Sequence, residues 1–161
     1  VEPSPGGEGV SLTISREDLL HIDPPGEIRR LNLGDKDLTD RFPDPGRGPA
    51  EPHLSRFVEW AEKKPEESVV FGLIVEGEIV SFVQVGLVIE DLWEVGMIRT
   101  REEHRRKGYA KALLSYASKE LLERGIRVLY KPWHEDSLRT AQAVGYREVF
   151  RGCSCTGRVQ G

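Results

Sequence analysis

The chain has 161 residues, 38% of them hydrophobic, and its 23 Lys plus Arg against 27 Asp plus Glu leave a net charge of −4. A single domain of this size buries about two thirds of the surface its unfolded chain would expose, so neither a disulfide nor a metal is needed to hold it together. The mixed, slightly acidic charge excludes the concentrated basic face of a duplex-binding protein, and apolar runs such as Leu73–Val75 and Val83–Ile89 fall far short of the ~20 residues that span a bilayer.

Residues 1–10 hold Pro3, Pro5, Gly6, Gly7 and Gly9 and lack the basic start and apolar run of a secretory signal, so they read as a flexible leader. Residues 11–161 read as one domain, and a longer precursor is left open. Ser11–Ile14 is expected as a short strand and Ser15–Asp18 as a helical turn, broken by Asp23-Pro24-Pro25-Gly26. A strand over Glu27–Leu33 and a short helix over Asp35–Arg41 follow, then a surface loop from Phe42 to Pro49 with three prolines and two glycines. Leu54, Phe57, Val58 and Ala61 recur at helical spacing and predict a helix over His53–Lys64, stopped by Pro65.

Ser68–Val75 and Glu78–Ile89 are rich in Val, Ile and Phe and flank Glu76-Gly77, a two-residue hairpin turn. A third strand, Leu92–Thr100, completes an antiparallel meander. Tyr109, Ala110, Leu113, Ala117 and Leu121 keep a 3.6-residue period over a long helix, Tyr109–Arg124, with Gly125 where a C-terminal cap belongs. Ile126–Tyr130 reads as a strand parallel to the one before that helix. Asp136 or Ser137 can cap a last helix ending at Gly145, and Tyr146–Phe150 is the final strand. The fold class is α/β, with a mixed, mostly antiparallel central sheet flanked by helices. Cys153 and Cys155 are the only cysteines. They would make a strained pair and an incomplete metal set, which points to a reducing cytoplasm.

Between the third strand and the long helix lies Arg105-Arg106-Lys107-Gly108-Tyr109-Ala110. A glycine-containing turn that opens into a helix N-terminus aims unpaired N–H groups and the positive dipole end at one place. A phosphate or pyrophosphate suits that place, with Gly108 allowing close backbone approach and Arg105, Arg106, Lys107 and Lys111 adding charge. The alternative is a simple turn followed by a solvated basic helix start. A Walker loop is excluded, because the glycine follows the lysine.

Arg105-x-x-Gly108-x-Ala110 resembles the Arg/Gln-x-x-Gly-x-Gly/Ala signature of the GNAT superfamily of coenzyme A-dependent N-acetyltransferases. The resemblance runs from about Glu27 to Phe150, and Ser137 to Gly145-Tyr146 is similar to the family's last helix and its Gly-aromatic ending. It implies that the backbone of Arg105, Arg106, Lys107, Gly108, Tyr109 and Ala110, with Lys111 nearby, holds the pyrophosphate of coenzyme A. It implies also that Ile98, Arg99 and Thr100 bond the pantetheine and the thioester carbonyl, and that the last helix adds a contact through Ser137. The cofactor would enter a V-shaped gap between the two parallel strands.

Glu94 lies eleven residues before Arg105, at the offset of the general base in histone-type members of the superfamily. Strand alternation would put Glu94, Gly96 and Ile98 on one face; the alternative is an exposed strand glutamate. Two departures stand out. Where many members carry a tyrosine as general acid, four residues after the helix serine, this chain has Ala141. Tyr109, Tyr130 and Tyr146 are substitutes by residue type only, and a thiol of pKa about 8.5 can leave with help from water. The usual Asn three residues before the serine is His134. Trp93, beside Glu94, is the tryptophan expected to meet substrate. His21, His53, His104 and His134 are scattered and form no metal set.

The implied activity is N-acetyl transfer from acetyl-CoA to an amine of unknown identity, with no metal. The expected partner is a small-molecule or peptide amine, without nucleic acid or membrane, and a homodimer is left open. The alternatives are a coenzyme A-binding regulatory module without catalysis and an anion-binding domain.

Overall fold

Val, Ile and Phe dominate two consecutive segments, which form β3 (Ser68–Val75) and β4 (Glu78–Ile89), and the next segment forms β5 (Leu92–Thr100). Tight turns join them, with Glu76, Gly77 and Glu90 at positive φ. The meander is antiparallel throughout, as expected. The computed structural model describes residues 8–43 and 53–153. Residues 1–7 of the expected leader, most of the Pro/Gly-rich loop and Cys155 lie outside the described residues.

Four further strands complete a seven-stranded sheet: β1 (Glu8–Thr13), β2 (Glu27–Arg30), β6 (Arg127–Tyr130) and β7 (Arg147–Cys153). Their order is β2-β3-β4-β5-β6-β1-β7. Among the described residues, only β5 and β6 pair in parallel; every other neighbouring pair is antiparallel. Strand β1 begins at Glu8, inside the segment expected as leader, because its first residues pair with Arg151, Gly152 and Cys153. That pairing also carries β7 past Phe150, its expected end.

Helices cover both faces. On one face lie α1 (Lys36–Asp40) and α2 (Leu54–Lys63), where Leu54, Val58 and Ala61 pack with Leu31, Val70, Ile79 and Phe82. Phe82 meets the edge of Phe42 at 5.1 Å and the tilted ring of Phe57 at 6.1 Å, contacts worth about 0.5–1.5 kcal/mol each beyond burial. On the other face lie α3 (Tyr109–Glu123) and α4 (Glu135–Val144), whose Leu113, Ala117, Leu121, Ala141 and Val144 pack with Val83, Val85, Trp93, Val95 and Val128. No helix among the described residues is long and apolar enough to cross a membrane.

Helix α4 is preceded at its N-terminus by His134 in extended conformation, not capped by Asp136 or Ser137. The Leu138 N–H bonds to His134 O at 3.0 Å, so the helix starts earlier and Ser137 falls in its first turn. The helix expected over Asp35–Arg41 divides into a 3₁₀ turn, Leu33–Asp35, and then α1. Asn32 caps that turn through the Gly34 N–H, and Asp35 answers from the Asn32 N–H at 2.9 Å.

Asp35 is buried beneath this turn and receives both terminal nitrogens of Arg29, Nη1 at 2.8 Å and Nη2 at 2.5 Å. The Arg29 hydrogen bonds hold its carboxyl below the usual carboxylate value, against the opposing effect of burial. A lowered folded-state pKa adds stability that is full at neutral pH and is lost as pH falls through the folded value. Asp35→Asn should therefore cost about 1–2 kcal/mol at neutral pH, after allowing for solvent screening of Arg29. In urea unfolding the gap between parent and variant should narrow toward about pH 3; a gap constant with pH would rule out the ion pair as its source.

Candidate active site

The site starts from one extra residue in β5. Glu94 lies opposite Gly86 and Val95 opposite Val85, but Met97 is opposite Gln84, so Gly96 has no partner position on β4. An inserted residue moves every later side chain to the other face. Glu94 and Met97 thus share the α2 face, whereas Val95 and Ile98 point into the α3 core. This corrects the expectation that Glu94, Gly96 and Ile98 share one face. With glycine at the bulge, Gln84 can lie across it; a Cβ at Gly96 would meet Gln84 Oε1 and push that side chain aside.

The parallel pairing of β5 with β6 runs from Leu92–Arg127 to Val95–Tyr130 and then stops. Beyond it β5 continues alone on that side to Thr100. The Arg101 N–H points at Val80 O on β4, 2.9 Å away. Period-two alternation therefore turns the N–H groups of Ile98 and Thr100 toward the gap. Arg99 sits between them, opposite Phe82. The Thr100 hydroxyl is engaged with Ser81 Oγ at 2.8 Å, so what Ile98 and Thr100 offer the gap is backbone N–H.

At the far end of the gap, the 3₁₀ turn Glu102–His104 leads to Arg105 in extended conformation, Arg106 at φ 63° and Gly108 at φ 78°. Helix α3 starts at Tyr109 with no side-chain cap, so the N–H groups of Tyr109, Ala110 and Lys111 face outward without intrahelical acceptors. The space where a Gly108 Cβ would stand is open. Arg105, Arg106, Lys107 and Lys111 are all exposed, and none makes an ion pair among the described residues. A left-handed glycine and bare helix donors, with four exposed basic residues in the same stretch, make a turn whose chemistry fits a pyrophosphate. His104 borders it, stacked on Tyr109 at 5.7 Å with its buried Nδ1 unpartnered among the described residues.

On the opposite, α2 face, Arg56, Phe57, Trp60 and Gln84 line a cavity of about 320 Å³. Gln84 lies flat over the two glycines, Gly86 and Gly96, and its Nε2 donates to Ser68 Oγ at 3.2 Å. Glu94 stands on the same face, 29% exposed, with Lys131 Nζ at 3.5 Å. Trp93 is buried in the α3 core, so Trp60, half-exposed on α2, replaces it as the tryptophan of this cavity. Sequence reasoning also passed over Gln84 and Phe57. The signal that could have found them was the pair of strand glycines, which marks a place where the sheet is bare.

The sequence matches the Acetyltransferase (GNAT) family over residues 35–146, and the chain belongs to that family. A GCN5-related N-acetyltransferase from Kribbella flavida superposes with a TM-score of 0.60 at 16% identity, over 90% of this chain and 56% of that one. A GNAT-family acetyltransferase from Colwellia psychrerythraea gives 0.68 at 12%, over 89% and 53%. An aminoglycoside acetyltransferase from an uncultured soil metagenomic sample, in complex with sisomicin, gives 0.59 at 16%, over 73% and 86%. The present chain thus spans about half the length of the first two. At these identities the likeness establishes the fold. Comparison with curated proteins found no match.

The residues at the loop fit coenzyme A, and Gly108 is the position most sensitive to substitution. Gly108→Val forces a β-branched side chain to φ 78°, a strain of about 1–3 kcal/mol. Calorimetric titration of acetyl-CoA should show affinity weakened at least about tenfold in the variant, with helix content unchanged. Equal affinity in parent and variant would remove the loop from the binding site.

Proposed function

We propose that the protein is an N-acetyltransferase of the reducing cytoplasm, which transfers the acetyl group of acetyl-CoA directly to an amine held on the α2 face. One observation carries this reading: at the β5–β6 fork, a carboxylate on one face of the sheet stands beside a gap whose other end is an anion cradle. Acetyl-CoA, when bound, supplies an acetyl group already activated as a thioester. Arg105 to Lys111 would bind its pyrophosphate, and the N–H groups of Ile98 and Thr100 would bond the pantetheine arm and the thioester oxygen.

The acceptor reaches the fork from the cavity of Arg56, Phe57, Trp60 and Gln84. An alkylammonium with pKa near about 10.4 must lose a proton before it can attack. Glu94, directly or through a water, is the base that takes it. Lys131, 3.5 Å from that carboxylate, is the cation an incoming ammonium displaces. Attack places negative charge on the former carbonyl oxygen, and backbone donors fixed in a strand stabilise it without reorganising. The structural neighbour described as an aminoglycoside acetyltransferase in complex with sisomicin supports amines as the acceptor class.

A second reading, a coenzyme A-binding module without turnover, is favoured by Ala141, which has no hydroxyl. The two readings separate in an assay of thiol release with a panel of amines. Glu94→Gln should lower kcat by about 10²- to 10⁴-fold with acetyl-CoA affinity retained, and should flatten the acidic limb of the pH–rate profile. If the profiles of parent and variant overlay at every pH, Glu94 is not the base. Saturable acetyl-CoA binding with no thiol release on any amine would favour the module.

A further inference from the structure

The cavity on the α2 face has polar groups of opposite kind at its two ends. At the sheet end stand acceptors. Gln84 Nε2 is spent on Ser68 Oγ at 3.2 Å, so its Oε1 lies the other way, over Gly96. Glu94 is on the same face, across the ladder from Gly86, which the Gln84 amide also covers. Lys131 at that end is already matched by Glu94.

At the helix end stands a donor. Arg56 lies in the first turn of α2, one turn before Trp60 and on the same side of the helix. It is exposed, and its guanidinium makes no ion pair among the described residues. Phe57 and Trp60 supply the apolar wall, and among the described residues no carboxylate lines the cavity. The adjoining hollow adds Glu59 and Lys63, which are opposite in sign, so Arg56 remains the uncompensated charge. Lys64 Nζ stands 5.3 Å from the centre of the Trp60 ring, held by Glu67 at 3.1 Å, and that ring already has its cation.

Such a lining sorts amines. A polycation would bring a second ammonium against Arg56, and like charges brought together oppose binding. A carboxylate in the same place gains a charge-assisted, forked pair of hydrogen bonds. Resting on the acetyltransferase reading, we propose that the acceptor is an amino carboxylate, with ammonium and carboxylate at opposite ends of one aromatic or apolar body, and that Arg56 selects it. The ammonium lies at the sheet end and donates to Glu94 and Gln84 Oε1. The body packs on Phe57 and Trp60, in a volume of about 320 Å³ that is near the small end of ligand pockets and suits a single ring. In the transfer, nitrogen bonds to the acetyl carbon and yields its proton through Glu94, while the C–S electron pair passes to sulphur, which takes a proton from solvent. The product keeps its carboxylate and loses its positive end, which loosens it from the fork.

The test compares para-(aminomethyl)benzoate, para-(aminomethyl)benzamide and para-xylylenediamine as acceptors, which share the ring and the reacting amine and differ in charge at the far end. Initial rates are read by thiol release, and binding to the coenzyme A-loaded protein by calorimetry. The parent should use the benzoate with a kcat/KM at least about tenfold above the benzamide, the difference lying in KM, and the diamine least well. Arg56→Gln should bring benzoate and benzamide together, and Arg56→Glu should make the diamine the best of the three. Both variants should bind acetyl-CoA within about twofold of the parent. Equal or lower kcat/KM for the benzoate, or an Arg56→Gln variant that keeps the parental benzoate-to-benzamide ratio, overturns the assigned class and leaves the acetyltransferase reading standing. Thiol release with other amines but none with the benzoate does the same. A parent that binds no acetyl-CoA, or binds it and releases thiol with no amine, removes both.

Discussion

One inserted residue in β5 sets the arrangement on which the rest of the site depends. Without the bulge at Gly96, Glu94 and the stretch from Ile98 to Thr100 would keep a single alternation, and the carboxylate and the Ile98 side chain would share a face. With it, Ile98 turns into the α3 core as an anchor and Met97 turns into the α2 core. The strand is thus held from both sides just past the point where it parts from β6. A strand end would otherwise fray once its neighbour leaves, since unpaired backbone has little to hold it. Anchoring by side chains on both faces, together with the ladder to β4, keeps exposed N–H groups in fixed positions. Fixed donors are what an oxyanion site requires.

The parting of β5 and β6 needs something to hold β6 on its other side, and β1 does so. It pairs with β6 at Leu12–Tyr130 and Thr13–Leu129 and with β7 along its length. The Thr13 hydroxyl adds a bond to Val128 O at 3.0 Å. A segment from the N-terminal end of the described chain therefore fixes the strand that carries Tyr130. The chain continues from β1 across the ends of the α3 and α4 layer, where Arg16 donates to Leu122 O and Ser115 donates to Leu20 O. These contacts tie the cofactor-side helices to the same segment, so the width of the fork is set by pairing distant in sequence from the loop that binds the anion.

Much of this was legible in the sequence because it is local. The meander follows from β-branched runs around two-residue turns, and α3 follows from the period of Leu113, Ala117 and Leu121. The left-handed turn into α3 follows from Gly108 at the mouth of that helix. What was not legible is what depends on pairing between distant segments. Residues 8–10 carry too little apolar pattern to announce a strand; they become one because β7 offers them an antiparallel partner. The face that Ile98 occupies relative to Glu94 depends on a register shift, and single-strand alternation cannot see a bulge formed against another strand. The cavity tryptophan was misassigned for a simpler reason. Trp93 and Glu94 are neighbours in the chain, and in a strand neighbours face opposite ways.

Close packing also limits what α4 can carry. Ala141 is fully buried, in the core that holds the edge-on pair of Tyr130 and Tyr146. Interiors are packed near crystal density, and extra ring volume there forces strain of about 1–3 kcal/mol. Tyr130 is carried on a strand paired on both sides, with β5 and with β1, so the ladder that carries Glu94 also fixes the surface against which α4 packs.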